Sequence, residues 1–255
     1  MAARAVGVEA AALEGVEVEY AAAGRVLGPF ELSVSDGEIV ALVGPSGCGK
    51  STALRLLAGL ETPTRGRTRL AAGRGETSMV FQAATLAPWL TALANVALPL
   101  ELAGAPRGEA RRRAAQALQR VGLGGSQGAR PAQLSGGMAM RVALARALVT
   151  APRVLLLDEP FAALDEITRR ALADDLLLLW QVERAAIVFV THSVEEAVYM
   201  AARVVVMTCG PGRAAAQITV EAPLPRPAGF RATPLFRHAA EAVSAELALV
   251  MGASA

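Results

Sequence analysis

The sequence predicts an α/β fold built on a mostly parallel β-sheet with helices on both of its faces. Short apolar runs of the kind that form buried parallel strands alternate along the chain with segments of helical periodicity. One of these runs, at 39–43, leads directly into a glycine-rich turn and then into a helical segment. The 255 residues suffice for one large α/β core with an inserted subdomain.

The periodicity of apolar residues predicts the individual elements. Strands are predicted at 16–20, 30–34, 39–43, 77–81, 154–157, 186–190 and 204–207. Helices are predicted at 53–57, 91–102, 107–121, 138–150, 168–183 and 195–202, with a last amphipathic helix between 236 and 250. The stretch 60–66 contains threonine, proline and glycine and is predicted to be a loop.

The strand pattern is interrupted once, and this interruption predicts the domain organisation. Residues from about 87 to 150 are rich in alanine and leucine at helical spacing, so we expect a helical subdomain inserted into the sheet domain. The sheet domain is expected to cover 8–222. Residues 223–255 are expected to be a proline-rich linker followed by an amphipathic helix.

The composition argues against several classes of protein. The 25 basic and 23 acidic residues nearly balance, and the basic run 111–113 has no interleaved aromatic residues, so no nucleic-acid partner is expected. The longest uncharged run, 77–100, is too polar for a membrane helix, and residues 1–10 lack the apolar core of a secretory signal. Cys48 and Cys209 are expected to be free thiols in a reducing compartment.

The turn after residue 43 has the spacing of a phosphate-binding loop. Its glycines permit a tight turn whose N–H groups point at phosphate oxygens, and the following helix adds the positive end of its dipole. Lys50 is expected to contact the β- and γ-phosphates and Ser51 to bind Mg²⁺. The predicted cradle consists of Gly44, Pro45, Ser46, Gly47, Cys48, Gly49, Lys50, Ser51 and Thr52.

Two carboxylates, Asp158 and Glu159, directly follow the apolar run 154–157. A carboxylate at the carboxyl end of a buried parallel strand lies at the edge of the sheet where ligands bind. We therefore expect Asp158 to hold Mg²⁺ beside the phosphate loop and Glu159 to polarise an attacking water. The alternative is a structural turn formed by Asp158, Glu159 and Pro160.

Two further polar residues follow predicted strands. His192 comes after 186–190 and is predicted to contact the γ-phosphate, although a lone histidine is more often structural. Gln82 comes after 77–81 and is predicted to sense Mg²⁺ and the attacking water. Both would lie at the same sheet edge as the phosphate loop.

A second candidate anion site begins the helix predicted near 138. Ser135, Gly136 and Gly137 precede this helix, and a helix N-terminus attracts phosphate. The alternative is that Ser135 only caps the helix. One nucleotide needs one phosphate cradle, so the second cradle is explained if two copies of the chain share their sites.

Taken together, these motifs resemble those of the nucleotide-binding subunits of ABC transporters. The turn at 44–52 resembles the Walker A motif, and 155–160 resembles Walker B with its catalytic glutamate. Gln82 matches the Q-loop, and 134–138 matches the signature motif with Met138 where many members have glutamine.

The resemblance also assigns three single residues. His192 resembles the switch histidine of the family, and Asp165 ends a segment, 162–165, that resembles the D-loop. Tyr20 lies about where the family places an aromatic side chain that stacks on adenine. The similar region extends from about 16 to 212.

The resemblance implies a RecA-like core with an N-terminal antiparallel β portion and an inserted helical subdomain. It implies ATP and Mg²⁺ as cofactors, ATP hydrolysis, and a head-to-tail dimer that encloses two ATP molecules. It also implies transmembrane permease subunits, a substrate-binding protein and a peripheral location on the cytoplasmic face of the membrane. Each site would combine Lys50, Ser51, Gln82, Asp158, Glu159 and His192 of one chain with Ser135 and Gly137 of the other, Ser51, Gln82 and Asp158 being the metal ligands.

Finer similarity points to importers of nitrate, sulfonates and taurine. It rests on the segments 86–90, 95–96, 195–200 and 210–213, and the tail at 232–237 is most similar to the taurine members. The sequence departs from the family pattern without loss of a phosphate or Mg²⁺ ligand. The departures are Ala139 and Met140 in place of Arg-Gln, Ala162 in place of serine and Ser193 in place of aspartate.

Two other classes of protein fit the sequence less well. A soluble ABC-type ATPase of DNA repair would carry a long coiled-coil insertion, and one of translation would carry two cassettes, whereas this chain has a short insert and one phosphate loop. A P-loop kinase would not need the second phosphate-binding helix start at Ser135.

Overall fold

The computed structural model describes residues 8–22, 24–71, 73 and 75–252. Two ends of the chain lie outside the described residues. They are residues 1–7, from the segment that lacks a secretory signal, and residues 253–255, from the predicted C-terminal region. The strands of the described part are β1 (Glu9–Tyr20), β2 (Gly24–Ser35), β3 (Ile39–Val43), β4 (Arg65–Leu70), β5 (Thr77–Val80), β6 (Val154–Asp158), β7 (Ala186–Val190), β8 (Arg203–Met207) and β9 (Ala214–Thr219). Its α-helices are α1 (Lys50–Leu57), α2 (Ala92–Leu102), α3 (Arg107–Arg120), α4 (Gly136–Leu148), α5 (Glu166–Glu183), α6 (Val194–Met200) and α7 (Pro234–Gly252).

The strands form two sheets. The larger sheet has the order β5-β6-β7-β3-β8-β9, in which β9 alone runs antiparallel to its neighbour. The smaller sheet has the order β2-β1-β4 and is antiparallel throughout. The predicted mostly parallel sheet and the predicted antiparallel N-terminal portion are both confirmed.

The larger sheet is buried on both faces, which explains its continuous apolar strands. In β3, Ile39, Ala41 and Val43 pack into the core formed with α4, α5, α6 and α7. The alternate residues Val40 and Leu42 pack into a second core, which contains α1 and one face of the smaller sheet. Helix α1, which begins in the phosphate loop, is thereby held between two sheets.

The inserted helices have a third core of their own. Small residues such as Ala110 and Ala114 of α3 pack with Val96 of α2 and Val142 of α4. Helix α4 also contributes buried residues to the core beside the larger sheet, so it joins the inserted helices to the sheet domain. Within the described part of the chain, no helix is both long and apolar enough to cross a membrane.

Asn95 fixes the loop that enters this helical block. Its side chain is fully buried. The Asn95 amide accepts from the Ala87 N–H at 2.8 Å and donates to the carbonyls of Ala87, Leu90 and Thr91. The hydrogen-bonding capacity of a buried amide is satisfied in this way, and the backbone from 87 to 91 is held in one conformation.

The structure differs from the sequence prediction mainly at the edges of the sheets. Strand β1 begins at Glu9, seven residues before the predicted start. The prediction missed this part because the alanines at 10–12 have low β propensity, although they are buried here. Strand β2 likewise begins at Gly24 rather than at 30. The prediction of a loop is wrong for Arg65 and Gly66, which open β4, and β9 was not predicted. Both strands lie at sheet edges and are largely exposed, so they lack the apolar signal of a buried strand.

Arg226 fastens the C-terminal segment to α6. Its side chain is buried and donates to the carbonyls of Val198, Tyr199 and Ala201, with 2.8 Å between Nε and the Tyr199 oxygen. Burial lowers the pKa of Arg226 to about 10, so the guanidinium stays charged at neutral pH. The last carbonyls of a helix have no partner within the helix, and Arg226 supplies the donors that α6 lacks.

Candidate functional site

Four neighbouring parallel strands bring the predicted site residues to one edge of the larger sheet. In the order β5, β6, β7, β3, these strands end beside Gln82, Asp158 with Glu159, His192 and the phosphate loop. The carboxyl ends of parallel strands meet at the same edge, which is where α/β proteins bind ligands. The sheet order therefore gathers residues that lie far apart in the sequence.

The phosphate loop folds around the side chain of Lys50. Its ammonium group donates to the carbonyls of Gly44 and Pro45, each at 2.8 Å, and the residue is only 5% exposed. Gly49, with φ +92°, precedes α1 in the left-handed conformation that glycine adopts most easily. A Cβ atom at Gly44 would lie 2.8 Å from the Met207 oxygen, so this position has no room for a larger residue.

Ser51 and Asp158 present the oxygen pair that a Mg²⁺ ion would need. The Ser51 hydroxyl donates to Asp158 Oδ1 at 2.9 Å, although the two residues are 107 positions apart. Burial raises the pKa of the Asp158 carboxyl, because a low dielectric disfavours its charged form. Hydroxyl and carboxylate oxygens are the ligand types that Mg²⁺ prefers, and a buried anion is stabilised by a cation, so these residues fit the ion.

The carboxylate of Glu159 is held between two polar side chains. His192 Nε2 lies 2.6 Å from Glu159 Oε1, and the Gln82 amide donates to Glu159 Oε2 at 3.3 Å. The Glu159 N–H donates to the Val190 carbonyl at 3.1 Å, and its φ of +47° lies in the left-handed region. This conformation costs a non-glycine residue about 1–2 kcal/mol, so the surrounding contacts hold Glu159 against a backbone preference.

An open cavity lies over the phosphate loop. It includes two residues that were not predicted, Val26 of β2 and Arg55 of α1. Arg55 lies one helical turn after Ser51, a spacing that a search along α1 would have found. Val26 is distant in sequence and gives no such signal. The lining consists of Val26, Ser46, Gly47, Gly49, Lys50, Ser51, Thr52, Arg55, Glu159 and His192.

The signature segment and Asp165 are not among the residues that line this cavity. Gln82 and Asp158 are not among them either, although both lie at the sheet edge. Ser135 caps α4 by accepting from the Met138 N–H at 3.2 Å, as the capping interpretation expected. Asp165 caps α5 by accepting from the Thr168 N–H at 3.0 Å, and this backbone hydrogen bond lowers the pKa of the Asp165 carboxyl. A Cβ atom at Gly137 would lie 2.7 Å from Thr168, so the two helix starts pack closely.

Tyr20 is partly buried at the end of β1 and packs against the core that contains α1. Its hydroxyl donates to the carboxylate of Glu61. Tyr20 is not among the residues that line the cavity over the phosphate loop, so its stacking on adenine stays a prediction.

If Tyr20 stacks on adenine, Tyr20→Ala should weaken ATP binding by about 1–3 kcal/mol, the range for stacking of a base on an aromatic ring. Tyr20→Phe keeps the ring, loses the bond to Glu61 and should bind ATP like the parent. The measurement is the Kd for ATP by fluorescence titration. Unchanged affinity in the alanine variant would leave Tyr20 as a packing residue.

Comparisons with known proteins agree with this geometry. The family model described as ABC transporter matches residues 27–162. An aliphatic sulfonates import ATP-binding protein, SsuB 1 of Pseudomonas syringae pv. syringae, is 46% identical over 211 residues, which are 83% of this chain and 86% of that protein. An uncharacterized ABC transporter ATP-binding protein of Methanocaldococcus jannaschii is 47% identical over 207 residues, which are 79% of this chain and 78% of that protein.

Two further proteins extend the comparison. The bicarbonate transport ATP-binding protein CmpC of Synechococcus elongatus is 42% identical over 227 residues, which are 85% of this chain but 34% of that protein. The dimeric ATP-binding cassette MJ0796, solved in a post-hydrolysis state with ADP and Pi, has a TM-score of 0.74 and 31% identity and covers 83% of this chain and 99% of its own. The chain therefore belongs to the ABC transporter family, as an ATP-binding subunit that hydrolyses ATP with Mg²⁺.

Proposed function

We propose that this subunit energises an importer of small anions or organosulfonates. The observation that carries the hydrolytic part is the carboxylate of Glu159, which His192 and Gln82 contact from two sides. It lies at the same sheet edge as the pair of Ser51 and Asp158. A base and a metal-binding pair at one edge are what phosphoryl transfer to water requires.

Each residue at the edge has a separate role in this proposal. Lys50 and the N–H groups of the phosphate loop bind the phosphates. Ser51, Gln82 and Asp158 would hold Mg²⁺, which would neutralise charge on the phosphates. Glu159 accepts a proton from the attacking water, and His192 orients Glu159 and contacts the γ-phosphate.

The site is completed by a second copy of the chain. Ser135, Gly136, Gly137 and Asp165 are not among the residues that line the cavity of their own chain, although two of them begin helices suited to binding an anion or a neighbouring loop. A head-to-tail dimer places the signature segment of one copy against the phosphate loop of the other. The MJ0796 cassette, which is dimeric, supports a dimer of this chain.

The substrate class rests on the named relatives. SsuB 1 is named for import of aliphatic sulfonates and CmpC for transport of bicarbonate. Together with the finer similarity of the sequence, these names lead us to infer a small anion or an organosulfonate, such as nitrate, taurine or an alkanesulfonate. The partners are transmembrane permease subunits and, through them, a substrate-binding protein. The ATPase would act at the cytoplasmic face of the membrane, with 8–222 as the ATPase domain, about 87–150 as its helical subdomain and 223–255 as the C-terminal region.

The test is to co-express the chain with the permease and binding-protein genes beside it and to measure uptake of labelled taurine, hexanesulfonate, nitrate and bicarbonate into vesicles that contain ATP. Uptake of one of these compounds, absent in the Glu159→Gln variant, supports the proposal. If the chain hydrolyses ATP but no permease co-purifies with it in detergent, the result would instead support the alternative of a soluble ABC-type ATPase.

Trp89 is the residue through which we expect the permease to bind. Its side chain is 72% exposed, yet Asn95 fixes the loop that carries it, so the indole is presented on a rigid surface. Leu90 is half-buried, so a substitution there would also disturb packing. Exposed aromatic side chains of this kind are frequent anchors of protein interfaces.

We expect Trp89→Glu to abolish co-purification with the permease and to leave the melting temperature of the isolated subunit unchanged. The matched control is Leu102→Glu, because Leu102 is also apolar and 80% exposed but lies at the end of α2. Retention of the permease by Trp89→Glu, or its loss from Leu102→Glu, would contradict this assignment.

A further inference from the structure

Arg169 of α5 connects the turn before its own helix to helix α6. Its Nη2 donates to the carbonyl of Leu164 at 2.9 Å, in the turn that ends at Asp165. Its Nε lies 3.3 Å from Glu196 Oε1, in α6. A guanidinium presents several donors in a fixed plane, so it can contact both groups at once, which an ammonium group on a flexible chain does not do.

Glu196 in turn fixes the residues that flank His192. Its Oε2 accepts a hydrogen bond from the Thr191 hydroxyl, and the Thr191 oxygen accepts from the Ser193 N–H at 3.0 Å. The Ser193 hydroxyl accepts from the Glu196 N–H at 3.3 Å, which closes the circuit. His192 lies inside this circuit and is itself 2.6 Å from Glu159.

The side chains of Arg169 and Glu196 are partly shielded from solvent, so the contact between them contributes more free energy than a surface ion pair does. The side chains of Glu196 and Arg169 are 12% and 30% exposed. Burial raises the pKa of the Glu196 carboxyl, and the Arg169 guanidinium opposes this effect. Removal of the guanidinium would leave a buried carboxylate without its cation, and Glu196 would then protonate or move.

We propose that Arg169 and Glu196 form a rigid link, here called the strut, that couples the position of the 162–165 turn to the position of His192. The strut thereby determines the contact between His192 and Glu159. This inference rests on the proposed function, in which Glu159 and His192 act on ATP and the 162–165 turn meets the second copy. Arg169 is a positioning residue and contacts no reacting atom. Movement of the turn would thereby reach His192 through three side chains.

The test is a double-mutant cycle with Arg169→Met, Glu196→Gln and the two combined. We expect each single variant to lower kcat by about 10- to 100-fold, as a displacement on the order of 1 Å in an active site can. The KM for ATP should stay within about twofold, because the phosphate loop is untouched. The combined variant should be no worse than the more impaired single variant, since both remove one strut. Arg169→Lys should restore little activity.

The matched control is Arg170→Met. Arg170 neighbours Arg169 on α5 and forms an exposed ion pair with Glu166 at 2.6 Å. Arg169 Nη1 also lies 3.4 Å from Glu166, so this control separates the contact with Glu166 from the contacts with Leu164 and Glu196. The kcat and KM of Arg170→Met should equal those of the parent. Equal losses from Arg169→Met and Arg170→Met, or additive losses in the combined variant, would overturn the proposal and leave Arg169 as a general stabiliser of α5.

A second readout separates this inference from the proposed function. The chain has two histidines, so the imidazole ¹H–¹⁵N signals of His192 are assigned by comparison with His192→Gln. They should shift in Arg169→Met and remain in place in Arg170→Met, whether or not the preparation hydrolyses ATP. Unmoved signals in Arg169→Met overturn the strut, whereas full ATPase activity in Glu159→Gln overturns the proposed roles at the site.

Discussion

Replacement of Glu159 by glutamine is expected to lower ATP hydrolysis by about 10²- to 10⁴-fold, the usual contribution of a general base. The variant keeps the shape of the side chain and removes its charge. The hydrogen bonds of Lys50 and Ser51 go to Gly44 and Asp158 and not to Glu159. The substitution therefore leaves the phosphate-binding residues in place, and the affinity for ATP should be nearly unchanged. The measurements are single-turnover hydrolysis and the Kd for ATP.

A matched control for this variant is Glu241→Gln, on the exposed face of α7. It makes the same chemical change far from the sheet edge and should have the activity of the parent. The assignment of Glu159 as the base would fail if Glu159→Gln turned over ATP normally. Loss of ATP binding in this variant would instead assign Glu159 to nucleotide binding.

Lys50→Ala and Ser135→Arg should each abolish activity in a homodimer, and a mixture of the two should recover part of it. The reason is that in a mixed dimer both substitutions fall in one composite site, and the other site keeps an intact Lys50 and an intact Ser135. If equal amounts of the two variants associate at random, about half of the two-fold symmetric dimers are mixed, and each mixed dimer keeps one intact site. The mixture should then have roughly a quarter of the parent activity if the two sites work independently. The measurement is ATPase activity after mixing, with the permease present.

Ser135→Ala controls for the loss of the helix cap, because Ser135 accepts from the Met138 N–H at the start of α4. It should cost about 1 kcal/mol of stability, and unlike arginine it places no bulk against the γ-phosphate. Obligatory coupling of the two sites would suppress recovery, so crosslinking is the second measurement. Cysteines placed at Ser46 and Ser135 should join different chains when ATP is bound to Glu159→Gln. Crosslinks formed solely within one chain would refute the head-to-tail arrangement.

The buried parallel strands were predictable because burial on both faces demands a continuous apolar run, as in β3 and β7. Strand β4 could not be predicted in this way. Its sequence is rich in arginine, and it is held by cross-strand pairs such as that of Arg69 with Glu9 and Glu14 of β1. Such pairs depend on a register between distant segments, which one-dimensional periodicity does not contain.

The site was predictable to the extent that its residues follow strands. Gln82, Asp158 and His192 each come after an apolar run, and parallel strands end at a common edge. Which side chains meet depends on the strand order, so the contact of Glu159 with His192 could not be read from the sequence. Arg146 donates to the carbonyls of residues 84 and 85 and so holds the loop after Gln82. No pattern in the sequence indicates this role.

The bonds of Arg226 have a consequence for the order in which the chain matures on the ribosome. Helix α6 leaves the exit tunnel before Arg226, and until that residue follows, the carbonyls of Val198 and Ala201 lack their buried donor. At typical elongation rates of about 5–20 residues per second this interval lasts on the order of a second or more. His192 lies two residues before α6, so a nascent chain that has completed its phosphate loop still lacks the bonds that fasten the helix next to His192.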